Sequence, residues 1–167
     1  MAIDKVREYL RQWGADSRVL EFPVSSATVE LAAQAVGCEP ARIAKTLSFL
    51  VEEHPVLIVA AGDAKIDNHK FKEQFHTKAK MLTPEQAVEL VGHAVGGVCP
   101  FAVHPGTEIC LDVSLKRFAT VFPAAGSSNS AIEVTMEELE CYSGSSQWID
   151  VCKGWQQSEM TVQPATA

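Results

Sequence analysis

The chain has 167 residues, with 14 Lys and Arg against 21 Asp and Glu, a formal charge of −7 and a pI near 5.2. That length fits one domain and buries about 68–70% of the unfolded surface without staples. With 47% hydrophobic and 21% charged residues the composition is that of an ordinary globular protein, and the acidic balance argues against a general duplex-DNA binder.

The five cysteines, Cys38, Cys99, Cys110, Cys141 and Cys152, form no C-x-x-C pair, which points to reduced thiols in a cytoplasm. The N-terminal MAIDKVREYLRQW is amphipathic and charged, unlike a secretory signal. The longest apolar run, Pro55 to Gly62, is far short of the about 20 residues of a membrane span. A soluble cytoplasmic protein with no membrane partner is expected.

In chain order, Ile3, Val6, Tyr9, Leu10 and Trp13 give one apolar helix face that stops at Gly14. Val19–Phe22 reads as a short strand ended by Pro23. Ser25 and Ser26 offer caps for a helix through Val36, closed by Gly37. Ala44–Val51 and Pro55–Ala61 read as neighbouring strands across Glu52-Glu53-His54, the second central because its apolar run is nearly continuous. Asp67 predicts the start of a helix carrying Phe71 and Phe75, and Thr83-Pro84-Glu85-Gln86 a capping box for one ending at Gly92. Gly96-Gly97-Val98-Cys99-Pro100 is a loop. Glu108–Val113, Phe118–Phe122 and Ala131–Val134 are further strands, the last two separated by a polar loop at Gly126–Ser130. Thr135-Met136-Glu137-Glu138 caps a final helix before Gly144. This order is neither βαβ alternation nor an all-β rhythm, so the class is α+β, one compact domain over residues 1–142. Residues 143–167 are a C-terminal extension, with Trp148 and Trp155 expected to pack back and the last dozen residues loosely held.

Spacing rejects a phosphate loop and argues against two further chemistries. Gly37 to Lys45 is a poor phosphate loop, since the lysine comes eight positions after the glycine, Ala44 precedes the lysine and a strand follows. The five histidines form neither H-E-x-x-H nor a Cys/His ligand pattern, so no metal or other cofactor is expected. No G-x-S-x-G elbow supports a serine nucleophile. Cys99 is the thiol to examine, against the reading of a small residue lining a tight loop. Two features stand out. Lys45 sits inside the apolar run Ile43–Leu47, where a functional lysine and a snorkelling edge residue both fit. Lys65, Lys70, Lys72, Lys78 and Lys80, against Asp67 and Glu73, make a local balance of +3 in a −7 chain, which suits phosphate contact or a solvated helix face.

Lys45-Thr46-Leu47, Ala61-Gly62-Asp63, the run from Gly92 to Phe101, Leu111–Leu115 and Ala125-Gly126-Ser127 together resemble the YbaK/EbsC family of aminoacyl-tRNA editing domains, which also occur within bacterial prolyl-tRNA synthetases. The resemblance runs from about Phe22 to Tyr142 and implies a compact α+β domain around a mixed, barrel-like sheet. It implies metal-independent hydrolysis of the ester joining a wrong amino acid to the 3′-terminal adenosine of tRNA, chiefly proline tRNA, with prolyl-tRNA synthetase a candidate partner. Lys45 would bind the substrate carbonyl or a nearby phosphate. Gly96 and the Gly97-Val98-Cys99-Pro100 segment would bring backbone donors to the reacting ester. Thr46, Asp63, Ser127, Ser128 and Asn129 would line the pocket, and the five lysines would meet the tRNA. Many relatives carry an aromatic-x-His element where Phe22-Pro23-Val24 stands, and Ser where Cys99 stands. These departures leave alanine, cysteine, serine and a slightly larger aliphatic acyl group open. A non-catalytic module for acylated tRNA ends or a partner protein, and a small-ester hydrolase, are the alternatives.

Overall fold

The computed structural model describes residues 2–145 and 147–155; the expectation of a loosely held tail at 156–167 lies outside them. Helix α1 (Ala2–Leu10) buries Ile3, Val6 and Leu10, and a 3-10 turn carries the chain on to Gly14. Strand β1 (Leu20–Glu21) is followed by α2 (Val29–Val36), which ends at a left-handed Gly37. The cap of α2 is Thr28, whose hydroxyl accepts from Leu31 N at 3.2 Å, rather than Ser25 or Ser26. Those two serines have other work: Ser25 accepts from Ala27 N, while Ser26 N bonds Ser128 O at 2.7 Å.

Strands β2 (Ile43–Val51) and β3 (His54–Ala61) form a regular antiparallel hairpin from Ala44↔Ala61 to Val51↔His54. Its turn is two residues long, with Glu52 and Glu53 both at positive φ, 49° and 69°, as the right-handed twist of a two-residue hairpin requires. Next come β4 (Lys65–Ile66), α3 (Asn68–Phe75), a single α-turn α4 (Pro84–Gln86), β5 (Glu108–Asp112), β6 (Thr120–Pro123), β7 (Ser130–Ala131), β8 (Val134–Thr135), α5 (Met136–Ser143), β9 (Trp148–Ile149) and β10 (Cys152–Lys153). Asp67 caps α3, and both Thr capping boxes are formed. The helix expected to continue to Val91 becomes a π-turn over Ala87–Val91, with Gly92 N reaching back to Ala87 O. The strand expected at Phe118 begins at Thr120, after a 3-10 turn. The one expected at Ala131–Val134 divides, because β7 pairs with β1 while β8 pairs with β6.

The main sheet has the order β8-β6-β2-β3-β5-β9 and mixes parallel with antiparallel neighbours. In β3 every residue from Val56 to Ala61 is fully buried, which explains its unbroken apolar run: both faces are covered. Each larger side chain so buried contributes about 1.5–3 kcal/mol. The chain after α5 is part of this architecture. Strand β9 extends the sheet beside β5 and β10 pairs with β4. The buried Asp112 carboxylate accepts from Ser114 N and Val151 N, each at 2.9 Å, and Trp155 is buried against the core.

Candidate functional site

A cavity of about 450 Å³ opens beside β2, and it exists because the outer edge of that strand is paired only at its two ends. At the start, Ile43 and Ala44 pair with Phe122 and Pro123 of β6. At the far end, Leu50 N donates to Lys80 O at 2.8 Å and Leu82 N donates to Ser48 O at 3.1 Å. In a regular antiparallel ladder the backbone groups of successive residues face opposite edges. Ser48 and Leu50 face the outer edge, so Thr46 does too, and its N–H and C=O point into the interval between Ala44 and Ser48. The cavity occupies that interval. It is lined by residues from α2 and its cap, from both faces of β2, from the Met81–Pro84 segment, from Val95, Gly96 and Val98, and from β6 and β7.

Lys45 and Thr46 are adjacent, so the two-residue period sends their side chains to opposite faces of the strand, and both line the cavity because it wraps around the free edge. The Lys45 ammonium donates to Ala64 O and, at 3.4 Å, to Gly62 O. An ammonium has three N–H groups, so one remains beyond these carbonyls. Gly62 is required there: a Cβ would lie 2.0 Å from Pro40 O and 2.8 Å from Val29 Cγ1. Burial pushes the Lys45 pKa below the ordinary lysine value, with the nearby Asp63 charge opposing the shift. On the other face, the Thr46 hydroxyl is shielded from solvent and has no hydrogen-bond partner. Gly96 has φ +95°, a conformation open to glycine, and it brings backbone to the cavity wall.

The other anticipated residues stand behind this wall. Val98 lines the cavity, whereas Asp63, Gly97, Cys99, Pro100, Ser127, Ser128 and Asn129 do not. Asp63 forms a two-pronged ion pair with Arg117 at 2.5 and 3.0 Å, which fixes the turn supplying the Lys45 carbonyls. Gly97 packs flat on the backbone of Ser127; a Cβ would come within 2.8 Å of Ser127 Cα. Ser127 donates to Ser130 Oγ at 2.8 Å, and Asn129 donates from Nδ2 to Phe22 O at 3.0 Å. These contacts tie the Gly126–Ser130 loop to the segment before α2. Cys99 is fully buried, its Sγ 3.6 Å from His93 Nε2, and burial pushes its pKa up to about 12. A neutral, enclosed thiol is a poor nucleophile, so Cys99 is a packing residue of the loop. Among the described residues no group of three His, Cys, Asp or Glu side chains gathers in one place, and no helix is long and apolar enough to cross a membrane.

The lysines divide as well. Lys70 is committed, donating to Asp150 Oδ1 at 3.0 Å and Cys152 O at 3.1 Å. Lys65, Lys72, Lys78 and Lys80 are exposed. Lys80 precedes the cavity residue Met81, and Lys65 follows the carbonyl that holds Lys45. Sequence reasoning missed Met81, Val95, Ser48 and the start of α2. Met81 and Val95 are large exposed apolar residues at the cavity mouth, and that is the signal they carried.

The Lys45 environment has a pH signature. Below its lowered native pKa the lysine is charged in both folded and unfolded states, and the fold bears the full desolvation cost. Raising pH through the native value toward 10.5 relieves that cost before the unfolded chain titrates. The difference in Tm between Lys45→Met and the unsubstituted protein is therefore expected to move in favour of the latter as pH rises from neutrality. Thermal melts of both across that range check it, and parallel pH curves would contradict it.

Residues 24–141 match the family model of the aminoacyl-tRNA editing domain. The uncharacterized protein YwhH of Bacillus subtilis is 55% identical over 93% of this chain and 100% of its own length. A proline–tRNA ligase of Lactiplantibacillus plantarum is 27% identical over 48% of this chain, which covers 14% of that ligase. A crystal structure described as a candidate trans-editing enzyme for prolyl tRNA synthetase superposes with a TM-score of 0.82 at 31% identity, covering 92% of this chain and 98% of that one. The mixed sheet, the cavity at its interrupted edge and the span of the match lead to one conclusion: the chain belongs to the aminoacyl-tRNA editing domain family.

Proposed function

We propose that this protein is a free-standing deacylase that hydrolyses the ester of mischarged tRNA, proline tRNA foremost, with the 3′-terminal aminoacyl-adenosine seated in the β2 cavity. The observation that carries this reading is the meeting of three features in one cavity: the Lys45 side chain, the Gly96 backbone and the open edge of β2 at Thr46. Lys45 holds the substrate as a point charge through its carbonyl or a neighbouring phosphate. Backbone N–H groups at the open edge and in the Gly96 loop face the carbonyl oxygen as it gains charge, an oxyanion role suited to fixed amides. Water attacks the acyl carbon, the bond to the ribose oxygen breaks, and that oxygen leaves as a hydroxyl. The neighbouring terminal ribose hydroxyl carries the proton, since the cavity lining includes neither a carboxylate nor a histidine. Chemistry in this site needs no metal.

Binding of the tRNA body falls to the exposed lysines of the Lys65–Lys80 segment, Lys65, Lys72, Lys78 and Lys80. Against a net charge of −7 they give a local and salt-sensitive contact, which suits an enzyme that must release the many correctly charged tRNAs it samples. Prolyl-tRNA synthetase is a partner of this reading, as the enzyme whose errors it clears, and the reading places the protein in the cytoplasm.

Hydrolysis of a panel of mischarged proline tRNAs tests the mechanism. Wild type is expected to release at least one non-cognate amino acid, and Lys45→Ala to lower that rate about 100-fold or more. Full activity in Lys45→Ala overturns the role of the lysine, and an inert wild type overturns the function. Replacing Lys72 and Lys80 together by Glu is expected to weaken tRNA binding and lower the slope of log K against log salt by about one to two units. An unchanged slope would place the tRNA on another surface, and equal turnover of a small aminoacyl ester would favour a small-ester hydrolase.

A further inference from the structure

The loop that forms one wall of the cavity is held from behind by a histidine. His93 is 1% exposed and Phe101 is fully buried, and the two stand at the ends of the segment that carries the wall residues Val95, Gly96 and Val98. His93 Nε2 lies 2.8 Å from Phe101 O. A carbonyl only accepts, so Nε2 carries the hydrogen. Nδ1 is shielded from solvent and has no hydrogen-bond partner. It is the bare nitrogen of a neutral ring, because a proton there would be a second buried N–H with nothing to receive it. Burial pushes the His93 pKa below the ordinary histidine value, outweighing the bond to Phe101 O, and the nearby His104 and Lys5 act in the same direction as burial. An apolar side chain would fill this core position without a bare Nδ1, so the one bond the ring makes is what singles histidine out.

That bond does what the loop's own backbone does not. Among the described residues, the main chain from His93 to Phe101 makes one backbone–backbone hydrogen bond within itself, Gly97 N to Ala94 O at 3.0 Å. It closes a turn with Gly96 in third position at φ +95°. The next rung outward is His104 N to Val91 O at 2.9 Å. The peptide held by His93 leads into Ala102, whose φ of +54° is uncommon for a residue with a Cβ and persists where neighbours fix it. Cys99 Sγ sits 3.6 Å from Nε2 and donates to Phe101 O at 3.8 Å, so the returning arm of the loop gathers on the same oxygen. The ring thus ties the two arms together inside the core, while Gly96 in the turn between them stands at the cavity wall.

Resting on the deacylase reading above and on the part it gives Gly96, we propose that His93 is a positioning residue: its neutral ring, donating from Nε2 to Phe101 O, fixes the two arms of the loop and sets where the Gly96 backbone meets the reacting carbonyl. His93 touches no substrate and acts through the loop. Lys45 is held by the Gly62 and Ala64 carbonyls and not by this loop. Loss of the His93 bond therefore falls on the transition state more than on substrate binding.

The test uses His93→Gln, His93→Asn and His93→Leu. Gln places an amide N–H where Nε2 stands, Asn ends short of it, and Leu fills the space without a donor. On a mischarged proline tRNA that wild type hydrolyses, the Asn and Leu variants are expected to lower kcat about tenfold or more with KM within about threefold of wild type. His93→Gln is expected to recover most of that kcat. Unchanged kcat in Asn and Leu, a loss carried by KM alone, or a Gln variant as slow as Asn overturns the proposal. If His93→Leu does not fold, the Gln and Asn pair gives the same comparison. Two readouts do not depend on turnover. Nitrogen NMR of the wild-type ring is expected to show Nε2 protonated and Nδ1 bare near neutrality, and the Gly96 amide to exchange with solvent about tenfold faster in His93→Asn than in wild type or His93→Gln. Those two results beside an inert wild type would remove the deacylase reading and leave the positioning of Gly96 by His93 standing. A protonated Nδ1, or Gly96 exchange equal in all variants, overturns it.

Discussion

The site depends on an interruption in hydrogen bonding along one edge of β2. A strand in the middle of a sheet normally has both edges satisfied, and an exposed stretch of free N–H and C=O groups is costly when buried. Here β6 covers the edge at Ile43 and Ala44, and the Lys80–Leu82 segment covers it from Ser48 onward. Between them Thr46 faces the cavity. The interval is short enough for one ligand group to complete the ladder, and it is bordered on one face by a cation and on the other by a hydroxyl. In the proposed function this sheet edge is the recognition element, with main-chain groups supplying fixed dipoles and Lys45 supplying charge.

The surrounding structure keeps that interruption open and in shape. The β2–β3 hairpin has continuous register, and β3 is buried on both faces, so the strand carrying Lys45 and Thr46 has a rigid inner neighbour. Arg117 holds Asp63 and so fixes the turn whose carbonyls hold Lys45. Gly97 rests on the Ser127 backbone, and the Ser127–Ser130 loop is bonded to the segment entering α2. The residues of the Gly96–Pro100 loop therefore divide by role. Gly96 and Val98 form wall, whereas Gly97 and Cys99 form backing. Burial keeps the Cys99 thiol protonated, so the proposed chemistry does not route through it.

The sequence made the larger elements legible for physical reasons. The unbroken run in β3, the capping boxes at Thr83 and Thr135 and the glycines closing α2 and α5 are local signals with local causes, and each element formed where they lay. Lys45 was conspicuous because a charge in an apolar strand needs a reason. Less legible were elements whose pairing is made at a distance. The two-residue strands β4, β9 and β10 exist only because partners far along the chain meet them, and Ser26 was read as a cap because nothing local revealed its bond to Ser128. The division of β7 from β8 has the same origin. Residues of the site itself split in this way: Lys45 was singled out by type and neighbourhood, Thr46, Gly96 and Val98 came with the family resemblance, and all four line the cavity, but the backing role of Asp63, Cys99 and the Ser127–Asn129 turn is set by three-dimensional packing, and the open strand edge has no signature in composition or period.

The most direct measurement of the central claim is a backbone amide titration by NMR with a stable 3′-aminoacylamino-adenosine. If the interrupted edge of β2 is the recognition element, the Thr46 and Gly96 amides are expected to shift together and saturably, and the Thr46 amide to gain protection from hydrogen exchange. Shifts confined to other surfaces, with the Thr46 amide unmoved at saturation, would contradict it.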